Sequence, residues 1–368
     1  MVGSGQKTEP MKRNRTILVV VILLALVTLI LWLSRSENTF RRSMNDFALD
    51  DTSNVIRIFM ADKNNNSVTL SKLANGKWMV NDKYPAQKIS IDLLLKTMMN
   101  IEVQQPVARA AHNNIIKEMA VNAVKVEIYQ HVYRIDFAGI RWFPHDKLSK
   151  VYYVGGATQS NMGCYMLMDG ASEPYVVYLP GFRGFVSPRY SPIEKYWRDY
   201  NVFKSTIPEI ATVKVEIPAT PDQSFEVHNL GNNKFRLLTW GTQQEIPDYD
   251  TLKLLNFLSG FRNLNYEALL NDMDQVRKDS ILRSQPFIII SLTDTSGSTR
   301  TIRTFHKAGP PGQTDPEGHP LPYDLDRLYA SVNDGRDFTM IQYFNFDKVL
   351  RPKQFFRKEV IENPRTGR

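Results

Sequence analysis

Two stretches of the sequence decide the fold: residues 56–78, IRIFMADKNNNSVTLSKLANGKW, and residues 213–235, VKVEIPATPDQSFEVHNLGNNKF. In each stretch apolar residues alternate with polar ones on both sides of a polar turn, a pattern that predicts a hairpin of half-buried strands. The two stretches align without a gap at an offset of 157 residues, which places Ile58 on Val215. The unbroken match favours an internal duplication over chance similarity between two amphipathic patterns.

A helix is predicted after each hairpin, because apolar residues there recur at helical spacing. In the first copy, where Ser90 is the expected N-cap, these residues are Ile91, Leu94, Leu95, Met98 and Ile101. In the second copy they are Leu254, Phe257, Leu258 and Phe261. A second, more polar helix is expected at 112–123 in the first copy and at 271–282 in the second.

Four further strands are expected to complete each copy. In the first copy they fall at 124–129, 133–137, 151–154 and 175–179. The matching strands of the second copy fall at 287–292, 301–305, 328–331 and 338–342. Each copy therefore reads β-β-α-α-β-β-β-β, which predicts two duplicated α+β domains, each a largely antiparallel sheet packed with one or two helices.

Residues 17–33 form the only run that is apolar and long enough to suggest a membrane span, with Thr28 as its single polar residue. Seventeen residues at helical rise extend about 26 Å, close to the roughly 30 Å of a hydrocarbon core. Trp32 lies where an interfacial aromatic residue is expected. The run is longer than the apolar core of a cleaved signal peptide and no small-x-small cleavage pattern follows it, which favours a retained signal anchor.

The predicted anchor organises the rest of the chain. We expect a short cytoplasmic head (1–15), a transmembrane signal anchor (16–34), a linker (35–50), two α+β repeat domains (51–200 and 201–355) and a basic tail (356–368). Four basic residues precede the apolar run and three follow it, a small positive-inside bias. Because the head is also short, we expect a single-pass protein of the cytoplasmic (inner) membrane with the bulk of the chain extracytoplasmic. The linker between the two domains is expected near 201–211.

The formal net charge of +8 belongs to the two ends of the chain. Residues 1–42 carry seven basic residues against two acidic ones, and residues 351–368 carry six against two, so the middle has a net charge of −1. The basic ends can lie against anionic lipid or stay solvated. This pattern disfavours nucleic acid as a partner and none is expected, because no basic face is left for the folded part.

No catalytic, cofactor-binding or metal-binding residue is predicted. Asp62 begins a run with the alternation of a calcium loop, but the run lacks the central Gly and the terminal bidentate Glu, so a polar turn is the preferred interpretation. The six histidines are scattered, without the short-range pairs typical of zinc sites. Cys164, the only cysteine, is predicted to be a small buried apolar residue.

A proline-rich stretch, residues 309–320, supports a different class of function. It is interpreted as a long loop between strands whose counterpart in the first copy is residues 142–146. Long ordered loops often carry function, but a solvated insertion between two strands is the favoured interpretation of this stretch. The only groupings of histidine with carboxylates available to an enzyme are His145 with Asp146, and Asp315, Glu317 and His319. The alternative to a non-enzymatic protein is therefore an envelope enzyme or ligand-binding protein acting on glycan or peptide through these loops.

A second stretch, residues 182–200, interleaves arginines with aromatic residues, the preferred anchors of protein interfaces. The candidate residues are Arg183, Phe185, Arg189, Tyr190, Trp197 and Arg198. They form either a surface for a partner or the junction between the two copies, sealed by stacking and cation–π contacts. The junction is favoured because the stretch lies at the copy boundary.

A family resemblance rests on the segments 69–80, 84–86, the helix 91–101 and the segment 197–203. Together they resemble the membrane-anchored bacterial "domain of unknown function 4340" family, over roughly residues 50–350. The resemblance implies a single-pass envelope protein, and members are often encoded beside ABC-type transporters of the gliding-motility kind. The family has no assigned catalytic residues, so none is carried over.

Three features of the sequence lead to one functional expectation. They are the predicted anchor, a folded middle in which no catalytic residue is predicted, and the family resemblance. The protein is expected to be a non-enzymatic, membrane-tethered accessory or interaction protein of the bacterial cell envelope. Its expected partners are the lipid bilayer and a membrane or envelope protein, with an ABC-type transporter suspected from the resemblance. No cofactor is expected.

Overall fold

The computed structural model describes residues 17–28, 46–137 and 140–358, and its chain divides into two compact units, Met1–Asp199 and Tyr200–Arg368. The predicted head and most of the predicted linker lie outside the described residues, as do the two ends of the predicted anchor and the end of the predicted tail.

Residues 17–28 form helix α1, whose large apolar side chains are 42–61% exposed. Over the part of the chain that the structure describes, no helix is both long and apolar enough to cross a bilayer.

The first unit is built on a nine-stranded sheet with two helices. Its elements are β1 (Val55–Ala61), β2 (Ser67–Lys72), β3 (Trp78–Val80), β4 (Tyr84–Pro85), α2 (Lys88–Asn100), β5 (Glu102–Pro106), α3 (Arg109–Asn122), β6 (Val124–Phe137), β7 (Ile140–Ala157), β8 (Cys164–Met168) and β9 (Tyr175–Tyr178). The strands lie in the order β4-β3-β2-β1-β6-β7-β8-β9-β5, and every neighbouring pair is antiparallel.

The second unit is built on an eight-stranded sheet. Its elements are β10 (Asn201–Phe203), β11 (Ile210–Glu216), β12 (Phe225–Asn229), β13 (Phe235–Thr239), α4 (Thr251–Ser259), β14 (Leu264–Asn265), β15 (Ala268–Leu269), α5 (Gln275–Arg283), β16 (Ile289–Asp294), β17 (Thr299–Ala308), β18 (Tyr323–Val332), β19 (Asp337–Gln342) and α6 (Tyr343–Phe346). The main sheet has the order β13-β12-β11-β16-β17-β18-β19-β15, and β10 pairs separately with β14. All of these pairs are antiparallel.

The two sheets share one strand order. Strands β3-β2-β1-β6-β7-β8-β9-β5 of the first unit correspond one by one to β13-β12-β11-β16-β17-β18-β19-β15 of the second. In each unit an apolar helix, α2 or α4, comes in the chain after the opening meander and before the strand that pairs with the first strand of the unit. The predicted α+β class with largely antiparallel sheets is confirmed.

The predicted offset of 157 residues is wrong for the first strand of the hairpin. Ile58 pairs with Leu70 in the first unit, and Val213 pairs with Val227 in the second. Ile58 therefore corresponds to Val213 at an offset of 155, while the second strand keeps the offset of 157. The stretch between the paired residues is two residues longer in the second unit, from Val213 to Val227 against Ile58 to Leu70, and it contains a 3₁₀ turn, Pro221–Gln223. A shift of two residues preserves the alternation of a strand, so the pattern could not reveal it.

The central pairing of each sheet carries the same irregularity. The β1–β6 register shifts between Val55 and Arg57, and the β11–β16 register shifts between Ile210 and Thr212. These positions match at the offset of 155. A bulge at one place in both sheets bends the first strand of each unit at an equivalent point.

The later strands of the first unit also differ from expectation. The two strands predicted at 124–129 and 133–137 are one strand, β6, and the stretch 142–146 lies inside β7 rather than in a loop. The proline-rich stretch 309–320 connects β17 to β18, so its positional counterpart is the β7–β8 connection at 158–163. Strand β8 was not predicted.

Each unit has its own apolar core, to which one helix contributes a buried face. In the first unit α2 contributes Ile91, Leu94 and Met98. In the second, α4 contributes Leu254, Phe257 and Leu258.

The two helices begin differently. Asp250 caps α4 by accepting hydrogen bonds from the backbone N–H groups of Leu252 and Lys253. The predicted cap of the first helix, Ser90, is wrong because the helix begins at Lys88, and the Ser90 hydroxyl donates to Gln87 Oε1 instead.

The segments that were expected to be linkers or tail contribute buried residues to the two apolar cores, in the parts that the structure describes. Phe47 and Leu49 are buried in the first core, and Leu49 N–H donates to the carbonyl of Met98. The stretch expected as the inter-domain linker contains β10, whose Phe203 is buried in the second core. Phe356, at the start of the predicted tail, is buried in the same core.

The close approach of the β7–β8 connection to β9 yields a stability prediction. A Cβ added at Gly163 would lie 2.8 Å from the carbonyl oxygen of Val177, which is backbone and cannot move aside. Gly163→Ala should therefore destabilise the protein by about 1–3 kcal/mol in urea unfolding.

Gly156→Ala is the matched control, because its added Cβ would meet only the end of the flexible Glu118 side chain. It should change stability by less than about 0.5 kcal/mol. Equal losses from the two variants would contradict the close approach at Gly163.

Candidate interaction surfaces

The stretch predicted to be an interface or junction is packed largely against the first unit itself. Tyr190 and Trp197 belong to the first core, and Trp197 Nε1–H donates to the carbonyl of Ser191 at 2.8 Å. The Tyr190 ring meets Tyr152 edge to face, with centroids 6.1 Å apart. Burial raises the pKa of both tyrosines, so both hydroxyls stay protonated.

Arg198 is buried to 4% exposure and lies across the ring of Tyr84, with its guanidinium carbon 3.5 Å from the ring centroid. Its Nη1 is 3.7 Å from Glu194 Oε1. Its backbone forms a bridge to Ala86, beside the N-terminal end of α2. Arg198 therefore fixes the end of the first unit onto the β4–α2 connection.

The other three predicted residues differ in exposure. Arg189 is half-buried, donates from Nη1 to Thr97 Oγ1 at 2.7 Å and lies 4.5 Å from the ring of Phe182. Phe185 is half-buried and packs on the first core, whereas Arg183 is exposed. The six predicted residues thus do not form one surface, and Arg189 is the one of the six that lines a groove of the first unit.

The groove, of about 560 Å³, lies between α2 and the turn that follows β9. Three half-exposed apolar side chains line it, with 43% exposure for Leu93, 44% for Met99 and 39% for Phe182. They come from the second, outward side of α2 and from the turn. Apolar side chains in contact with water around a concave site are typical of a binding surface.

Charged groups flank the apolar wall of the groove. Lys96 and Arg189 contribute two cations, and Glu102 contributes one carboxylate. The hydroxyl of Tyr178 donates to Glu102 Oε2 at 3.1 Å, and this contact raises the pKa of Tyr178. The groove suits a partner that presents an apolar side chain beside an acidic group.

One of the two histidine–carboxylate groupings that favoured an enzyme pairs differently in the structure. Asp146 pairs with His131, at 2.8 Å between Oδ1 and Nδ1, across the β6–β7 ladder, and not with its sequence neighbour His145. Asp315 and His319 are 3.3 Å apart within one exposed turn. Within the ranges that the structure describes, no three His, Cys, Asp or Glu side chains are grouped to hold a metal ion.

Two further residues with candidate chemistry have structural roles. The Asp62 carboxylate accepts hydrogen bonds from Asn64 N–H, Asn66 N–H and the Asn66 amide, closing a turn. Burial opposes its ionisation, but the bonds from Asn66 and Asn64 lower its pKa overall. Cys164 is buried, and burial raises the pKa of its thiol to about 12, so the thiolate needed of a nucleophile is disfavoured at neutral pH.

Sequence reasoning missed the groove, although it left a signal. The outward side of α2 carries Ile89, Leu93 and Met99 at spacings of four and six residues, beyond the stripe that faces the core. A helix with apolar residues outside its buried stripe indicates a second contact.

Comparisons with known proteins give no relative: no family model, no curated protein and no solved structure matches the chain.

The contrast between Arg198 and Arg183 yields a test of the predicted stretch. Arg198→Ala removes a buried guanidinium from the Tyr84 ring and should cost about 1–3 kcal/mol of unfolding free energy. Arg183→Ala, at an exposed site, should change it by less than about 0.5 kcal/mol.

Urea unfolding of the two variants measures both effects. If Arg198→Ala unfolded like the unsubstituted protein, the packing role assigned to Arg198 would be wrong.

Proposed function

We propose that the chain is a non-enzymatic, membrane-tethered accessory protein of the bacterial cell envelope. The observation that carries the proposal is helix α1, whose ten large apolar side chains from Ile17 to Val27 are all exposed. Apolar surface left in water costs about 25 cal/mol per Å², so a helix apolar on all sides needs a nonaqueous environment. The basic residues that precede it in the sequence are typical of the cytoplasmic flank of an anchor.

The common strand order and the common bulge support an origin of the two units by duplication. Two duplicated sheet domains suit a scaffold that holds another protein. We place the partner's binding site at the groove of the first unit, where Leu93, Met99 and Phe182 are exposed beside Lys96 and Arg189. The segment bound there would present an apolar side chain next to a carboxylate.

The resemblance to the "domain of unknown function 4340" family supports a transporter as the partner. It implies an extracytoplasmic position and an association with an ABC-type transporter of the gliding-motility kind. A transporter offers extracytoplasmic loops at the membrane surface, where a tethered domain meets them at high effective concentration.

The orientation can be tested by thiol labelling, because the only native cysteine is buried and its thiol is protonated at neutral pH. Lys63→Cys creates an exposed thiol on the β1–β2 turn, and Ser4→Cys places a thiol in the predicted head. In intact spheroplasts a membrane-impermeant maleimide should label Lys63→Cys and should label Ser4→Cys only after lysis. The unsubstituted protein is the control for Cys164.

Extraction of membranes at high pH completes this test, since a membrane-anchored chain should stay in the pellet. Release of the protein into the supernatant would overturn the tether. Labelling of Ser4→Cys in intact spheroplasts, with Lys63→Cys protected, would instead reverse the orientation.

A further inference from the structure

Strands β6 and β7 extend beyond the sheet of the first unit as a two-stranded arm, residues 131–137 and 140–146. Strand β1 pairs with β6 as far as Gln130, and β8 pairs with β7 from Tyr152 onward. The β6–β7 ladder continues past both to the pair Phe137↔Ile140. At about 3.3 Å per residue the arm reaches about 23 Å from the sheet.

The chain enters the first unit at the base of this arm. Lys150, on β7, donates from Nζ to the carbonyl oxygens of Asp46 and Ala48 and pairs with the Asp46 carboxylate at 2.8 Å. On β6, the side chain of Gln130 donates to the carbonyl of Asp51. Thirteen residue steps separate Asp46 from Leu33, the last residue of the apolar run, which is at most about 45 Å of extended chain.

The outer part of the arm exposes two adjacent aromatic residues. Trp142 is 59% exposed and Phe143 is 65% exposed. Phe143 has a φ of 56°, the left-handed region, which costs a bulky L-residue about 1–2 kcal/mol. Strained backbone is concentrated at functional sites, so the strain at the exposed Phe143 points to a contact outside the fold.

Cationic side chains accompany these aromatics. Arg141, which stands opposite Asp136 in the β6–β7 ladder, lies 5.7 Å from the ring of Tyr133, and Arg134 is exposed on the neighbouring strand. Tryptophan with nearby arginine is the combination enriched at the headgroup level of membranes, where rings enter the interface and guanidinium groups meet phosphates.

We propose that the arm is a second membrane contact, with Trp142 and Phe143 inserted at the headgroup level of the bilayer that holds the anchor. The proposal rests on the proposed tether. The short stretch of chain between the apolar run and the base of the arm keeps the arm near that bilayer. Two contacts, anchor and arm, would fix the tilt of the first unit on the membrane.

The test uses the full chain in vesicles of phosphatidylcholine and phosphatidylglycerol that carry bromine on the acyl chains near the headgroup. Bromine quenches tryptophan fluorescence only at close range. Trp32→Phe should remove the quenching that comes from the anchor, which tests the tether by itself. In the Trp32→Phe chain the remaining quenching should disappear on adding Trp142→Phe.

Val121→Trp in the chain that lacks Trp32 and Trp142 is the matched control. Val121 is 62% exposed on α3 of the same unit, a helix that packs near Tyr153, toward the opposite end of β7 from the arm. A tryptophan there should be unquenched.

The outcomes separate the two proposals. If Trp32→Phe abolished all quenching, the tether would stand and the membrane contact of the arm would be overturned, leaving its aromatics to a protein partner. Quenching at position 121 equal to that at Trp142 would also overturn the contact. Unquenched Trp32 would overturn the tether.

Discussion

The structure depends on one antiparallel pairing in each unit. The first strand of the unit pairs with the strand that follows its helices, β1 with β6 and β11 with β16. These strands stand near the middle of their sheets, and the residues that pair there, Ile58 with Ile128 and Val213 with Leu292, are buried. The opening meander lies on one side of this pairing and the later strands lie on the other. Because the pairing closes a long stretch of chain, it also positions the helix between its two strands, including the outward side of α2 that lines the groove.

Much of this architecture could be predicted from hydrophobic periodicity. Alternation of period two gave the hairpins, and helical spacing gave the buried faces of α2 and α4. The register was beyond that signal, since a slip of two residues leaves every apolar side chain on its proper face. The arm was missed for a different reason. The strand at 133–137 was predicted, but its partner stretch was interpreted as a loop, because Pro144 within β7 resembles a loop residue although proline is tolerated at an unpaired strand edge.

The candidate surfaces were harder to predict than the fold. Arginine and aromatic residues are typical of both partner surfaces and domain junctions, and the sequence does not show that Tyr190, Trp197 and Arg198 pack within the first unit. The groove requires the turn after β9 to lie beside α2, a contact between segments about eighty residues apart that no local pattern encodes. Hydrogen bonding has the same limit, because His131 lies fifteen residues from Asp146 in the chain and was not predicted as its partner.

The central claim is that the first unit, held at a membrane by the amino-terminal anchor, uses its groove to hold an envelope protein. Site-specific photo-crosslinking in native membranes tests this most directly, with the photoreactive residue placed at Met99 in the groove or at the exposed Val121 of α3. The account predicts one crosslinked transporter subunit from position 99, lost on adding Leu93→Glu, and none from position 121. Equal crosslinking from both positions, or none from position 99, would contradict it.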